Sequence, residues 1–260
     1  MLFRWLGVGI AVLLFTLGSA VSASGQILET ETARLLHAGV LEMSGGFEFQ
    51  GSSEGTESAV PFAFEYGIRD YLEVLLEPVA YTAIRPNMGQ HATGPGDLET
   101  TLTYRVHREG AIPALAAALE VKLPTANNSL IGTGEEDYTG YLIVSKQIGG
   151  IDTHCNFSYT HVGRSEGVDL NDIVGFAMAG VYHASARVQL YGEVLGNTAS
   201  TPEADKGGES AVVPEAAGGE LVGTLGAAWY VGQTAKLYLG VSYDNNNAVL
   251  IHPGLTIRLR

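Results

Sequence analysis

Apolar and polar residues alternate along most of this chain, and this alternation limits the folds that the chain can adopt. In one segment, for example, Leu102 and Tyr104 lie on the side opposite Thr103. A period of two residues is the period of a β-strand, and it gives the strand one apolar and one polar face. The sequence therefore predicts antiparallel sheet over most of its length.

Twelve such segments follow one another. We predict strands near residues 38–50, 58–67, 71–83, 96–107, 112–123, 137–148, 151–162, 172–183, 186–197, 219–230, 235–244 and 248–259. Tight turns (67–70, 107–111, 148–151, 183–187, 231–235) alternate with longer polar loops (51–57, 84–95, 124–136, 163–171, 197–218), and 244–247 is a short exception. Short turns at one end and long loops at the other are typical of outer-membrane barrels. The predicted fold is all-β: an antiparallel transmembrane up-and-down β-barrel of about 12 strands.

The first residues have the order of a signal peptide. Arg4 precedes an apolar run from Trp5 to Leu17, and small residues follow up to Ala23. The run is shorter than the roughly 20 residues that a spanning helix needs. We therefore predict a signal peptide over residues 1–23, removed on secretion through the inner membrane, and a barrel domain over residues 24–260 in the cell outer membrane. No N-terminal plug domain is indicated.

Charge and composition exclude several classes of function. The net charge of −14 argues against a nucleic-acid partner, because phosphate binding needs a basic face. The single cysteine, Cys155, leaves no intramolecular disulfide and no cysteine-based zinc site. We predict no cofactor and no metal site. A solvated loop is the preferred interpretation of the acidic run 135–137, with divalent ions bridging lipopolysaccharide as the alternative.

Aromatic residues near the strand ends distinguish a barrel from a soluble periplasmic β-sandwich. Barrels carry aromatic girdles at both membrane interfaces. On the predicted apolar face, Tyr66, Tyr104, Tyr182 and Trp229 adjoin tight turns, whereas Tyr138, Tyr159 and Tyr243 adjoin long loops. Three prolines, Pro61, Pro78 and Pro253, fall inside predicted strands, where we expect bulges or displaced strand ends.

Short motifs add a family resemblance. They are Gly94-Pro95-Gly96-Asp97-Leu98, Lys122-Leu123-Pro124-Thr125 and Asp137-Tyr138, together with Glu29-Thr30-Glu31-Thr32-Ala33-Arg34 and Phe64-Glu65-Tyr66-Gly67-Ile68. Together they resemble the barrel family labelled as the MetA pathway of phenol degradation, whose members are called transporters. The resemblance implies an outer-membrane location and passage of small, often aromatic or apolar, compounds.

The C-terminus is similar to the signal that the barrel-assembly machinery reads. The matching residues are His252, Gly254, Ile257 and Leu259, whereas Arg260 stands where such barrels usually end in an aromatic residue. The expected partners are therefore this machinery, outer-membrane lipid, lipopolysaccharide and a small-molecule permeant.

The polar face would point into the lumen of a closed barrel. The predicted lumen-lining residues, which are the candidates for a pore, are Glu73, Glu77, Asp97, Glu99, Arg105, Glu120, Lys122, His154, Asn156, Arg187, Glu193, Lys236 and Arg258. These charges either brace the lumen in pairs or form a polar constriction that selects permeants, and both roles fit one barrel.

The predicted function is a passive channel or transporter for small molecules and not an enzyme. One alternative is a structural or surface-interaction barrel with a closed lumen. A second is a lipid-modifying enzyme, for which His183 and Ser185, or His154, Asn156 and Ser158, have a workable spacing. A lipid-facing Ser-His pair would favour the enzyme.

Overall fold

The computed structural model describes residues 29–164, 170–200 and 219–259, so the predicted signal peptide and Arg260 lie outside the described residues. Over these ranges the chain forms β-strands, and none of the described residues belongs to a helix long and apolar enough to cross a membrane. The strands are β1 (Leu41–Gly46), β2 (Glu48–Gly51), β3 (Gly55–Arg69), β4 (Leu72–Pro86), β5 (Ala92–Gly94), β6 (Leu98–His107), β7 (Ala114–Leu123), β8 (Asp137–Ile148), β9 (Ile151–His161), β10 (Ile173–His183), β11 (Val188–Asn197), β12 (Leu221–Val231), β13 (Ala235–Asp244) and β14 (Val249–Leu259).

These strands close into an antiparallel barrel. Strand β1 pairs with β3 on one side and with β14 on the other, so the first and last strands complete the wall. Strand β2 continues β1 beyond a break at Phe47, and β5 extends the line of β6 along β4. The result is the predicted closed barrel of 12 strands, all antiparallel. We call its two ends the turn end and the loop end.

The alternation in the sequence matches the two faces of the wall. Outward-facing Leu102 is 46 % exposed, whereas its neighbours Thr101 and Thr103 face inward and are buried. The predicted aromatic residues point outward in two bands, one near each end. The barrel therefore has an apolar outside and a polar inside, the reverse of a soluble protein.

The prolines lie at irregular positions in the wall, as expected. The β3–β4 register shifts between Val60 and Pro61, and Pro78 is the last β4 residue in the ladder with β6. Pro253 lies beside the break in the first strand, where its carbonyl accepts a hydrogen bond from the N–H of Phe47 (3.0 Å). A proline without an amide hydrogen is tolerated where the ladder is already interrupted.

Candidate functional site

A stretch of chain before β1 occupies the lumen. We call residues 29–40 the N-terminal segment. Its backbone N–H groups donate to three side chains of the wall: Thr30 to Glu193 Oε1 (2.7 Å), Ala33 to Ser145 Oγ (2.9 Å) and Leu36 to Glu73 Oε2 (2.6 Å). These acceptors come from β11, β8 and β4, so the segment runs from the middle of the lumen to the turn end, surrounded by wall residues. Buried backbone groups need such partners.

Asn156 of β9 holds the segment in the manner of a neighbouring strand. With its amide oriented to satisfy both atoms, the side chain accepts from the N–H of Glu31 (2.6 Å) and donates to the carbonyl of Glu31 (3.0 Å). His154 contacts the segment indirectly. Its Nδ1 lies 2.9 Å from the Ser145 hydroxyl, and that hydroxyl accepts a hydrogen bond from the N–H of Ala33. Two predicted lumen residues thus serve the segment.

Small side chains make room for the segment. Ala33 is completely buried, and it packs against an apolar cluster formed by Ala114, Ala116 and Ala118 of β7 with Ile143 of β8. Larger inward-facing residues on β7 would occupy the space that Ala33 fills. The segment therefore has a fitted contact surface on the inner wall.

Arg34 ties the segment to the turn end. Its guanidinium donates twice to Glu109 Oε2, from Nε at 2.9 Å and from an Nη at 2.7 Å, and the other Nη lies 2.9 Å from Asp152 Oδ1. Asp152 in turn pairs with His183 Nε2 at 3.0 Å. Burial works against ionisation of Glu109, but the N–H of Gln147 and the guanidinium outweigh it and lower the pKa of this carboxyl.

Acids and bases are paired in the wall near the turn end. Arg258 Nε donates to Glu42 Oε2 (2.8 Å), and Glu42 is almost completely buried. Lys236 is also buried and lies within electrostatic range of Glu42. Arg105 donates to the backbone carbonyl of Asp70. This half of the lumen matches the bracing alternative, in which charges offset one another's desolvation.

The loop end of the lumen contains an acidic cavity of about 690 Å³, which we call the vestibule. Its charged lining consists of eight carboxylates and one ammonium: Glu29, Glu31, Glu48, Glu57, Glu77, Asp97, Glu99, Glu120 and Lys122. Lys122 forms a salt bridge with Asp137 and lies opposite Glu99 in the β6–β7 ladder. Glu120 accepts a hydrogen bond from the Tyr141 hydroxyl (3.0 Å). Acidic side chains therefore greatly outnumber basic ones in the vestibule.

The thirteen predicted lumen residues separate into groups. Five line the vestibule (Glu77, Asp97, Glu99, Glu120, Lys122), four hold the N-terminal segment directly or through Ser145 (Glu73, His154, Asn156, Glu193), and Lys236 and Arg258 belong to the paired half. Arg105 lies at the turn end, and Arg187 lies in the turn before β11 with its side chain exposed.

Sequence reasoning missed the N-terminal segment itself. Arg34 and Ala33 belong to the motif at residues 29–34, and that motif indicates a family resemblance but no position in the lumen. The segment lacks strand periodicity, and its partners lie as far as 163 residues away. Nothing local in the sequence indicates that path.

An apolar groove of about 590 Å³ lies on the outer surface beside the break at Phe47. The groove and the vestibule share six lining residues: Ser44, Gly45, Gly46, Phe47, Phe62 and Pro253. The two glycines contribute no side chains to the wall there, and only neighbouring rings cover them: a Cβ on Gly45 would lie 2.9 Å from the Phe62 ring, and one on Gly46 would lie 3.2 Å from the Tyr238 hydroxyl. The lumen and the outer surface are separated by a thin wall at this point.

The proposed catalytic groupings have structural partners. His183 pairs with Asp152, and Ser185 Oγ accepts from the N–H groups of Arg187 and Val188. The Ser145–His154 contact is a Ser-His pair, but Ser145 is completely buried and bonded to the segment. These contacts do not form the lipid-facing pair that the enzyme alternative requires.

Comparison with known proteins supports the fold. No family profile matches the sequence, and no curated protein matches it. An outer membrane channel from Pseudomonas putida F1 superposes with a TM-score of 0.65 at 12 % identity, covering 89 % of this chain and 100 % of that one. The NanC porin gives 0.60 at 9 % (84 % and 100 % covered), and the KdgM porin in complex with disordered oligogalacturonate gives 0.55 at 7 % (84 % and 99 %). The barrel architecture is thus shared with outer-membrane channels, whereas the phenol-degradation label stays a prediction.

Proposed function

We propose that this chain is an outer-membrane channel for small molecules, with an acidic vestibule at the loop end and a lumen narrowed by its own N-terminal segment. The observation that carries the proposal is a polar lumen inside a closed barrel whose outside is apolar. A surface with this many exposed large apolar residues is stable in lipid and prone to aggregate in water. The turn end then faces the periplasm and the loop end faces outward.

The axial route leads from the vestibule past the N-terminal segment. Carboxylates in a low-dielectric cavity raise the local concentration of cations, so this route favours cationic or neutral solutes over anions. The segment is held by side chains and by one arginine tether, and no covalent link closes the lumen. Movement of the segment would widen the path.

A lateral route is the second candidate, and it suits the small aromatic or apolar compounds that the family resemblance implies. The observation that favours it is the thin wall shared by the vestibule and the outer groove. Apolar solutes entering the vestibule would pass between β1 and β14 into the membrane. Separation of these strands near the break would open such a path without displacing the N-terminal segment.

Cross-linking the wall separates the two routes. Ser44 and Thr256 are directly opposed in the β1–β14 ladder with hydroxyl oxygens 2.9 Å apart, so S44C/T256C in a C155S background allows a disulfide beside the break. Thr224 and Ser242 form the matched pair on β12 and β13, with oxygens 2.8 Å apart. Ion conductance in planar bilayers and uptake of an apolar aromatic dye into proteoliposomes would be measured for both variants, oxidised and reduced.

The outcomes are distinct. For a lateral route we expect S44C/T256C to lose most dye uptake when oxidised and to regain it on reduction, while T224C/S242C is unchanged. Ion conductance should be the same in both redox states, because ions use the axial route. Equal dye uptake by oxidised and reduced S44C/T256C would contradict the lateral route. A folded barrel that neither conducts nor transports would contradict the channel itself.

A further inference from the structure

The turn after β3 and the turn after β6 meet at the turn end of the barrel. Arg108 lies 3.6 Å from Asp70, and the backbone N–H of Arg105 donates to the carbonyl of Tyr71 (2.9 Å). Arg69 ends β3 next to Asp70, and its side chain is exposed and donates to the carbonyl of Ile68 (3.0 Å). We call Arg69, Asp70, Arg105 and Arg108 the basic rim.

The basic rim reverses the charge of the chain. Three guanidinium groups and one carboxylate leave two net positive charges in a protein of net charge −14, and the neighbouring Glu109 is already paired with Arg34. The backbone N–H of Ala38 and the neighbouring His37 side chain lower the pKa of Asp70, so this carboxylate is ionised at neutral pH. Arg108 nevertheless remains 70 % exposed and available to a second anionic partner.

Three tyrosines flank the rim on the outward face. Tyr66, Tyr71 and Tyr104 are each 42–51 % exposed, and the rings of Tyr71 and Tyr104 meet edge to face with centroids 5.7 Å apart. Aromatic side chains of barrels lie at the depth of lipid headgroups. The exposed guanidinium groups of Arg69 and Arg108 at this end of the barrel therefore lie at the depth of lipid phosphates, whereas Arg105 follows Thr101 and Thr103 on the inward face of β6.

We propose that the basic rim binds the headgroup of an anionic phospholipid in the periplasmic leaflet. Arginine forms paired hydrogen bonds with phosphate oxygens, and the tyrosines supply an apolar wall for the first part of the acyl chains. The proposal rests on the outer-membrane location in the proposed function and is independent of conduction. It assigns a lipid contact to turns that the channel proposal does not use.

Native mass spectrometry of the purified barrel tests the proposal directly. Phosphatidylglycerol and phosphatidylcholine would be titrated against the wild type and the R69Q/R108Q variant, and retained lipid would be counted. One basic residue near an anionic leaflet changes binding by about fivefold, so we expect the double variant to bind phosphatidylglycerol about twenty-five-fold more weakly. Binding of phosphatidylcholine should be unchanged.

Two variants and one wild-type measurement keep the result decisive. R85Q/R164Q removes two exposed arginines at the loop end, one of them also beside a carboxylate, and should bind as the wild type does. R69K/R108K keeps the charge and should retain most binding. The wild-type preference for phosphatidylglycerol should also fall as salt is raised. Equal loss in R85Q/R164Q, or a preference that salt does not change, would overturn the proposal.

Bilayer conductance measured on the same preparation distinguishes the failure of this inference from the failure of the proposed function. A folded barrel that binds phosphatidylglycerol through the rim but does not conduct contradicts the channel alone. A barrel that conducts without lipid preference contradicts the rim alone.

Discussion

At the scale of single residues, the inner wall is shaped by aromatic rings that pack against glycines of neighbouring strands. Tyr191 covers Gly226 and Tyr238 covers Gly254, each on a neighbouring strand. Such pairing protects a strand glycine and fixes the ring, and it recurs where sheets bend strongly. It also thins the side-chain layer, which leaves space in the lumen.

Substitution of one of these glycines should destabilise the barrel. A Cβ on Gly226 would overlap the Tyr191 ring, whereas a Cβ on Gly223 of the same strand meets no atom within 4 Å. We expect Gly226→Ala to lower the free energy of unfolding by about 1–3 kcal/mol, the usual cost of overpacking. Gly223→Ala should have little effect. Urea unfolding in detergent or lipid, followed by tryptophan fluorescence, measures both, and equal stability of the two variants would contradict the ring-over-glycine account.

At the scale of secondary-structure elements, sequence and structure agree where the signal is local. Strand number, face and turn position follow from a two-residue period, which any short window contains. The two-residue period does not predict the break at Phe47. It also does not predict the full lengths of β3, which begins at Gly55, and of β4, which ends at Pro86. The N-terminal segment was missed because its conformation depends on contacts with Glu193, Ser145 and Glu73, and these come together only after the barrel closes.

The tether of this segment gives a prediction about gating. Arg34→Ala removes the paired hydrogen bonds to Glu109 and the contact with Asp152. Hydrogen bonds to charged groups contribute about 1.5–3 kcal/mol, so the balance between docked and released segment should shift by about ten- to hundredfold. We expect longer and more frequent openings in single-channel records. Arg34→Lys keeps the positive charge but cannot form the paired hydrogen bonds. Its openings should be intermediate in length and frequency between those of the wild type and Arg34→Ala.

Acid provides an independent readout of the same tether. The pKa of Glu109 is lowered in the folded protein. The contact between Glu109 and Arg34 therefore stabilises the docked segment fully at pH values above the ordinary glutamate pKa, and this stabilisation is lost as pH falls through the lowered value. The part of the acid response that depends on Arg34 should therefore appear only as pH falls below about 4.5. Arg34→Ala should show a weaker acid response. Identical records for wild type and Arg34→Ala would show that the segment does not control the axial path.

At the scale of the whole molecule, charge is segregated along the barrel axis. Acids near the turn end are paired with Arg258, Lys236 and Arg34, whereas the vestibule has one ammonium among eight carboxylates. Alternation predicts which individual charged residues face inward. It does not predict their separation into two halves of the lumen, because that separation depends on the register of the barrel strands and on where the N-terminal segment divides the lumen. A field of one sign at the loop end is a property of the assembled barrel.

This segregation predicts a cation-selective conductance. With a tenfold salt gradient across a planar bilayer, the wild type should give a reversal potential of the sign for cation permeation. The E99Q/E120Q variant removes two of the eight vestibule carboxyl groups. At about pH 9, where carboxylic acids are ionised, it should move that potential toward zero and lower the single-channel conductance. The E54Q/E136Q variant removes the same number of charges from the outer loops and should keep the wild-type potential, because exposed loop charges are screened within about 10 Å at 0.1 M salt. If both double variants shift the potential equally, selectivity arises from the overall charge of the mouth; if neither shifts it, permeating ions do not pass the vestibule carboxylates, and the axial route must be abandoned.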